Sequence, residues 1–281
     1  MSGTQNFKLR PMSRDEVAVA LDWAALEGWN PGLCDADAFY KTDPSGFMIA
    51  EADGEKVCTI SAVAYDENFG FIGLFIVPEK YRHKGYGVKV GYEAIQRLGQ
   101  RNIGLDGVVE RQLEYTRAGF KFAHKNIRYE YAGSGVMSKC AVPVSQIPFE
   151  LLCTFDRRFF PASRAIFLRA WLDMPNAIAL AVMEDDQIRG YGVIRSCRRG
   201  FKIGPLFATN YQVAEELFSS LASHAKGSPV FIDIPEINPG AKELVARHHM
   251  KKVFETARMY SKGSPNMEID GIYGITTFEL G

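Results

Sequence analysis

The segment Val77-Pro78-Glu79-Lys80-Tyr81-Arg82-His83-Lys84-Gly85-Tyr86-Gly87 holds the residue types best suited to chemistry. It leaves an apolar strand pattern, carries Arg82 and Lys84, turns on Gly85 and Gly87, and enters an amphipathic helical pattern. Glycines let backbone N–H groups come close to a phosphate, and a helix N-terminus adds a favourable dipole. Arg82 and Lys84 would supplement that with charge. The spacing therefore fits a cradle for a diphosphate, or else a surface turn with a solvated basic face. A Walker A loop is excluded, because no Gly-Lys-Ser/Thr follows. A dinucleotide fingerprint is excluded too, because Val90 stands where the third glycine belongs.

With its preceding strand, this segment resembles the acyl-CoA pyrophosphate loop of the GNAT superfamily of N-acetyltransferases. The family pattern Arg/Gln-x-x-Gly-x-Gly/Ala is met by Arg82-x-x-Gly85-x-Gly87. A later helix in the family carries Tyr-x-x-x-Gly-Phe, and Tyr115-Thr116-Arg117-Ala118-Gly119-Phe120 follows here in the family's order. The resemblance implies acetyl-CoA as cosubstrate, and no metal. Backbone groups of Leu74, Phe75, Ile76 and Val77 would meet the pantetheine and the thioester carbonyl. Arg82, His83, Lys84, Gly85, Tyr86 and Gly87 would hold the diphosphate. Tyr115 would protonate the departing CoA sulfur; its bland alternative is a half-buried aromatic on a helix face. Family members often take their base from a glutamate, or a water held by one. Glu110 and Glu79 are the candidates, each otherwise an ordinary surface carboxylate. GNAT proteins usually build the acceptor side of the cleft in the loop after the first helix, here Glu27-Gly28-Trp29-Asn30-Pro31-Gly32. There Trp29 would form a flat wall while Glu27 and Asn30 orient a cationic amine, unless the loop is only a helix-ending turn with a packed tryptophan.

The elements that must position these residues occur twice. Ile72-Gly73-Leu74-Phe75-Ile76-Val77 faces Ile203-Gly204-Pro205-Leu206-Phe207-Ala208 at a spacing of about 131 residues, the mark of an internal repeat. Phe47–Val57 faces Ile178–Ile188 at the same spacing, and Phe120–Arg128 faces Met250–Arg258 one residue closer. In the first half, Ser13-Arg14-Asp15-Glu16 is a capping box that opens a helix with Val17, Ala20, Leu21 and Ala24 on its inner face. Strands are expected over 47–52, 57–65 and 69–77, followed by a helix with Val88, Gly91, Tyr92, Ile95 and Leu98 as its inner stripe. In the second half, Val213, Leu217 and Leu221 mark one helix, and Asn238 with Pro239 caps another. The fold class expected is α/β: two tandem GNAT-like (acyl-CoA N-acyltransferase) domains with mixed, largely antiparallel central sheets. Residues 1–135 would form the catalytic domain and 136–281 a degenerate domain on the acceptor side, joined at the Gly/Ser stretch Ala132-Gly133-Ser134-Gly135.

The second half keeps the repeat but not the chemistry. Ala208-Thr209-Asn210-Tyr211-Gln212-Val213-Ala214-Glu215-Glu216 replaces the loop, with no glycine or basic residue and two carboxylates that would repel a diphosphate. Val245 stands for the tyrosine. One site per chain is therefore expected. The basic clusters Arg157, Arg158, Arg164 and Arg195, Arg198, Arg199 fit either a solvated face or recognition of an anion across the interdomain cleft. His248 and His249 are adjacent and would diverge on a helix, unlike a metal-binding pair.

Lys+Arg 33 balances Asp+Glu 33, which argues against nucleic acid or an anionic membrane as partner. Five scattered cysteines without CxxC spacing suggest neither a disulfide framework nor a zinc site. The start, MSGTQNFKLRP, lacks the apolar core of a signal peptide, and apolar runs stay too short to span a bilayer. A cytoplasmic N-acetyltransferase acting on the primary amine of a small molecule is expected, with a homodimer left open. The competing class is a non-catalytic acyl-CoA-binding sensor or partner module.

Overall fold

A computed structural model describes residues 6–133, 135–138 and 140–281. In the first half, β1 (Phe7–Pro11) leads into α1 (Arg14–Leu26) and α2 (Asp35–Thr42), then β2 (Phe47–Ala52), β3 (Glu55–Ala64) and β4 (Phe69–Ile76). α3 (Tyr86–Leu98), β5 (Asn102–Val108), α4 (Gln112–Arg117) and β6 (Lys121–Tyr131) complete it. The second half runs through β7 (Ala141–Pro143), α5 (Phe149–Asp156), α6 (Ala165–Leu172), β8 (Ala177–Glu184), β9 (Gln187–Ser196) and β10 (Phe201–Ala208). Then come α7 (Tyr211–Ala222), β11 (Val230–Pro235), α8 (Pro239–Arg247) and β12 (Lys251–Tyr260), followed by an additional strand, β13 (Ile272–Gly274). The α/β repeat read from the sequence is present element for element, apart from β13.

Local chemistry explains the helix boundaries. Ser13 accepts from the Glu16 amide while the Glu16 carboxylate takes the Ser13 amide at 3.0 Å, so the capping box closes both ways. Val17, Ala20, Leu21 and Ala24 are all buried beneath it. Asn238 caps α8 through the Ala241 amide, with Pro239 in the first turn. In α3 the expected inner stripe needs correction. Tyr86, Val90, Ala94 and Leu98 face the sheet, whereas Val88 and Tyr92 are 80% and 61% exposed. Both sets have helical spacing, so periodicity could not separate them. Gly87 and Gly91 decide the phase, because each lies against the ring of Phe75 and draws the helix close to β4.

The strands form one sheet in the order β1-β2-β3-β4-β5-β12-β6-β11-β10-β9-β8-β7, with β13 beside β10. The repeats have exchanged their last strands. β12 lies antiparallel between β5 and β6, and β6 lies antiparallel between β12 and β11. Every cross-half hydrogen bond in those ladders resists separation of the repeats. The chain boundary at 135/136 thus does not coincide with a boundary in the sheet. Of the Gly/Ser stretch expected as a flexible joint, Ser134 lies outside the described residues. The residues after it are held on α7: the Val136 amide donates to Ser219 Oγ at 3.0 Å and the Ser138 amide to Ser220 Oγ at 3.0 Å.

Candidate active site

β4 and β5 are parallel, and their pairing stops at Ile72 and Leu105 although β4 runs on to Ile76 and β5 to Val108. The cause lies in β4. Between Thr59↔Ile76 and Ser61↔Gly73 the register with β3 shifts, and Leu74 has φ +46. An extra residue at a bulge bends the strand and turns it from its neighbour. Thr59 Oγ1 holds the bulge by donating to the Leu74 carbonyl at 2.9 Å. Leu74, Phe75, Ile76 and Val77 therefore line a wedge with no partner strand along the β5 side, where carbonyl and amide groups can meet a ligand.

At the outer end of the wedge the chain makes a 3-10 turn (Glu79–Tyr81) and enters α3. His83 has φ +63, and Gly85 has φ +80, a left-handed value that favours glycine. Gly85 caps α3 with no side-chain hydrogen bond. His83, Lys84 and Gly85 are exposed, while Tyr86 is buried. No side chain among the described residues caps the start of α3, which follows three exposed residues, the arrangement that binds a diphosphate. Arg82 is less available than its charge suggests. Its Nε donates to the Val77 carbonyl at 2.9 Å and its guanidinium pairs with Glu27 at 2.5 Å. It shapes the loop, while Lys84 is exposed just before the start of α3.

Tyr115 projects from α4 and packs its ring on Gly107 of β5, where any side chain would collide with it. Burial, with the Glu114 charge adding to it, pushes its phenol up to about 12. Among the described residues no group hydrogen-bonds its hydroxyl. A half-buried phenol that stays protonated can act as a proton donor. Glu110 is exposed in the 3-10 turn Val109–Arg111 that ends β5, and Glu79 is exposed in the turn before Arg82. Among the described residues neither hydrogen-bonds to Tyr115.

The loop after α1 is spent on joining the halves. Asn30 Nδ2 donates to the Arg199 carbonyl at 3.1 Å, and Asn30 Oδ1 accepts from the Arg199 amide at 2.9 Å. Arg128 Nη1 donates to the Trp29 carbonyl and Lys202 Nζ to the Asn30 carbonyl at 3.0 Å. Glu27 goes to Arg82. Glu27 and Asn30 are tied by side-chain hydrogen bonds, and the Trp29 side chain has none among the described residues. The basic clusters are likewise spent on ion pairs, three of which cross between the halves. Arg195 pairs with Asp35 at 2.9 Å, Arg198 with Asp22, Arg199 with Glu130 at 2.6 Å, and Arg164 with Asp156 at 2.7 Å. Arg195 and Arg164 are buried, so they form neither a solvated face nor an open anion site. Arg195 finds its partner Asp35 160 residues away, whereas Arg164 pairs within its own segment, with Asp156 eight residues before it.

An acetyltransferase (GNAT) family profile matches residues 16–119, and a second acetyltransferase (GNAT) domain profile matches residues 152–274. The chain belongs to the GNAT superfamily, with two GNAT domains in tandem. A holothin acyltransferase of Pseudoalteromonas sp. is 28% identical over 289 residues, covering 100% of this chain and 97% of that protein. A candidate acetyltransferase from Pyrococcus horikoshii superposes with a TM-score of 0.84 at 24% identity, over 100% of this chain and 98% of that one. A tandem GNAT protein from the clavulanic acid biosynthesis pathway superposes with a TM-score of 0.62 at 13% identity, over 91% and 98%.

The second GNAT domain opens a matching wedge and fills it. β10 and β11 pair only from Phe201↔Val230 to Ile203↔Ile232, and β13 then lies antiparallel on Leu206 and Phe207. Ile275 donates its amide to the Asp233 carbonyl at 2.8 Å. The sequence pointed to lost chemistry there; the structure adds that the groove itself is occupied by the chain. Beyond β13, residues 275–281 cross to the first domain. A side chain at Gly204 would strike the Thr276 carbonyl, and one at Gly73 the Glu279 carbonyl. These glycines are repeat equivalents, and sequence reasoning missed what they signal: close approach of another backbone. No helix among the described residues is long and apolar enough to cross a membrane.

Proposed function

We propose that the first GNAT domain transfers an acetyl group from acetyl-CoA to the primary amine of a small molecule, and that the second is a scaffold. The observation that carries this is the start of α3 at Gly85, which no described side chain caps, at one end of the β4–β5 wedge, with Tyr115 of α4 packed on Gly107 of β5. The cosubstrate supplies an activated thioester. The α3 amides and Lys84 bind its diphosphate, and the unpartnered edge of β4 beyond Ile72 orients the acyl carbonyl and stabilises charge developing on its oxygen. Holding both reactants in line supplies much of the rate. Tyr115 gives its proton to the sulfur as the C–N bond forms and the C–S bond breaks; the nitrogen sheds one proton to solvent, and Tyr115 recovers its own from solvent. Full-length similarity to an acyltransferase named for holothin supports a small acceptor rather than a protein chain.

The test is release of free thiol from acetyl-CoA with panels of small primary amines, amino sugars and peptides. Turnover with small amines is expected. Thiol release with peptides alone would overturn the acceptor class, and CoA binding without turnover on any amine would favour an acyl-CoA sensor.

A further inference from the structure

We propose that Glu279, on the segment after β13, is the acceptor-binding residue that receives the substrate's amine, an assignment that rests on the acyl transfer proposed above. The sheet face turned away from α3 is polar where a core is normally apolar. Asn126, Arg128, Asp233 and Arg258 lie there, none more than 7% exposed. Most are spent on one another. Asp106 takes Arg258 at 2.6 Å and Asn126 at 2.8 Å, and Asp233 takes Arg128 at 2.6 Å and 2.8 Å.

Glu279 is the exception. It is 2% exposed, and neither carboxylate oxygen has a hydrogen-bond partner among the described residues. Arg128, Arg195 and Lys202 are near enough to feel its charge. None of them donates to it: Arg128 goes to Asp233 and Trp29, Arg195 to Asp35, and Lys202 to Asn30. A buried carboxylate without a donor is a costly feature of a folded chain, and one that a ligand N–H satisfies.

Its position fits that donor to the reaction. The Glu279 carbonyl rests against Gly73, the first residue of β4 beyond the last pair with β5. A carboxylate cannot lie further from its own carbonyl than its side chain reaches, so it stands beside the inner end of the wedge. The two unpartnered oxygens of Glu279 suit a primary amine, which offers several N–H donors, better than a hydroxyl, which offers one. Attraction between an ammonium and a carboxylate strengthens the hold before deprotonation.

The test compares the full chain with Glu279→Gln and Glu279→Asp, using thiol release for amine KM and kcat, calorimetry for amine and CoA binding, and thermal melts for folding. Glu279→Gln is expected to raise amine KM by about tenfold or more with CoA affinity unchanged. Glu279→Asp, whose carboxylate is drawn back by one carbon, is expected to fall between. If the Gln variant fails to fold, the Asp variant carries the comparison. Amine KM unchanged in a folded variant, with wild-type turnover intact, overturns the role of Glu279 and leaves the acyl transfer standing. If the wild type binds CoA yet turns over no amine, the acyl transfer fails instead. Calorimetry then decides for Glu279: amine binding lost in the variant supports it, and binding retained or absent from the wild type overturns it.

Discussion

Replacing Tyr115 by phenylalanine is expected to lower kcat by about 10²–10⁴-fold, the usual worth of a positioned general acid. Acetyl-CoA affinity and melting temperature should hardly move. The two expectations separate chemistry from architecture. The ring of Tyr115 fills the space over Gly107, and phenylalanine keeps that packing. The hydroxyl bonds to no described residue, so its removal leaves no partner unsatisfied. Its only loss is the proton offered to the leaving sulfur. Because burial raises this phenol to about 12, the group stays protonated across the working pH range and kcat should show no tyrosine ionisation below that value. Stopped-flow or steady-state thiol release with Tyr115→Phe checks this. An unchanged kcat would remove Tyr115 from the reaction, and a drop in melting temperature matching the loss of rate would mark a structural role.

Asp233→Ala is expected to cost about 3–5 kcal/mol of stability, the penalty for leaving a buried charge without its partner. Arg128 and Asp233 are 3% and 2% exposed at their side chains and meet through two hydrogen bonds across the β6–β11 ladder. Arg128 also holds the Trp29 carbonyl and lies over the Phe278 ring at 4.7 Å. Strand exchange, the loop after α1 and the crossing tail therefore hang on one guanidinium. Urea denaturation measures the effect, and a change under about 1 kcal/mol, the scale of an exposed pair, would contradict it. Arg128→Met with Asp233→Leu should recover much of the loss, since neither member of the pair is left behind as an unpaired charge. The pH sign follows from the carboxyl. Burial raises its pKa, but the Arg128 charge and hydrogen bonds outweigh that and leave it below the ordinary 3.8. A depressed folded-state pKa gives stability that is complete above the unfolded value and lost as pH falls through the folded one.

The sequence makes legible whatever depends on local chemistry. The Ser13 box, the apolar face of α1, the Asn238 cap and the turn at Gly85 each follow from residues within a few positions of one another. The repeat adds the fold class, because similar strands at fixed spacing must build similar domains. Features set by distant partners were not legible. Nothing near Lys121–Tyr131 says that both its neighbours come from the second half. Arg195 looks like any surface arginine until Asp35 is placed against it. Asn30 has the right type for substrate contact, yet its amide is consumed by Arg199. Glu279 carried no local motif, and only the paired glycines at 73 and 204 hinted that a backbone crosses both wedges.

A crystal structure of the chain with CoA tests the central claim most directly. One CoA per chain is predicted, its diphosphate oxygens on the amides of Gly85–Val88 and its sulfur in the β4–β5 wedge facing Tyr115. CoA seated in the second domain, or bound with the start of α3 untouched, would contradict the account.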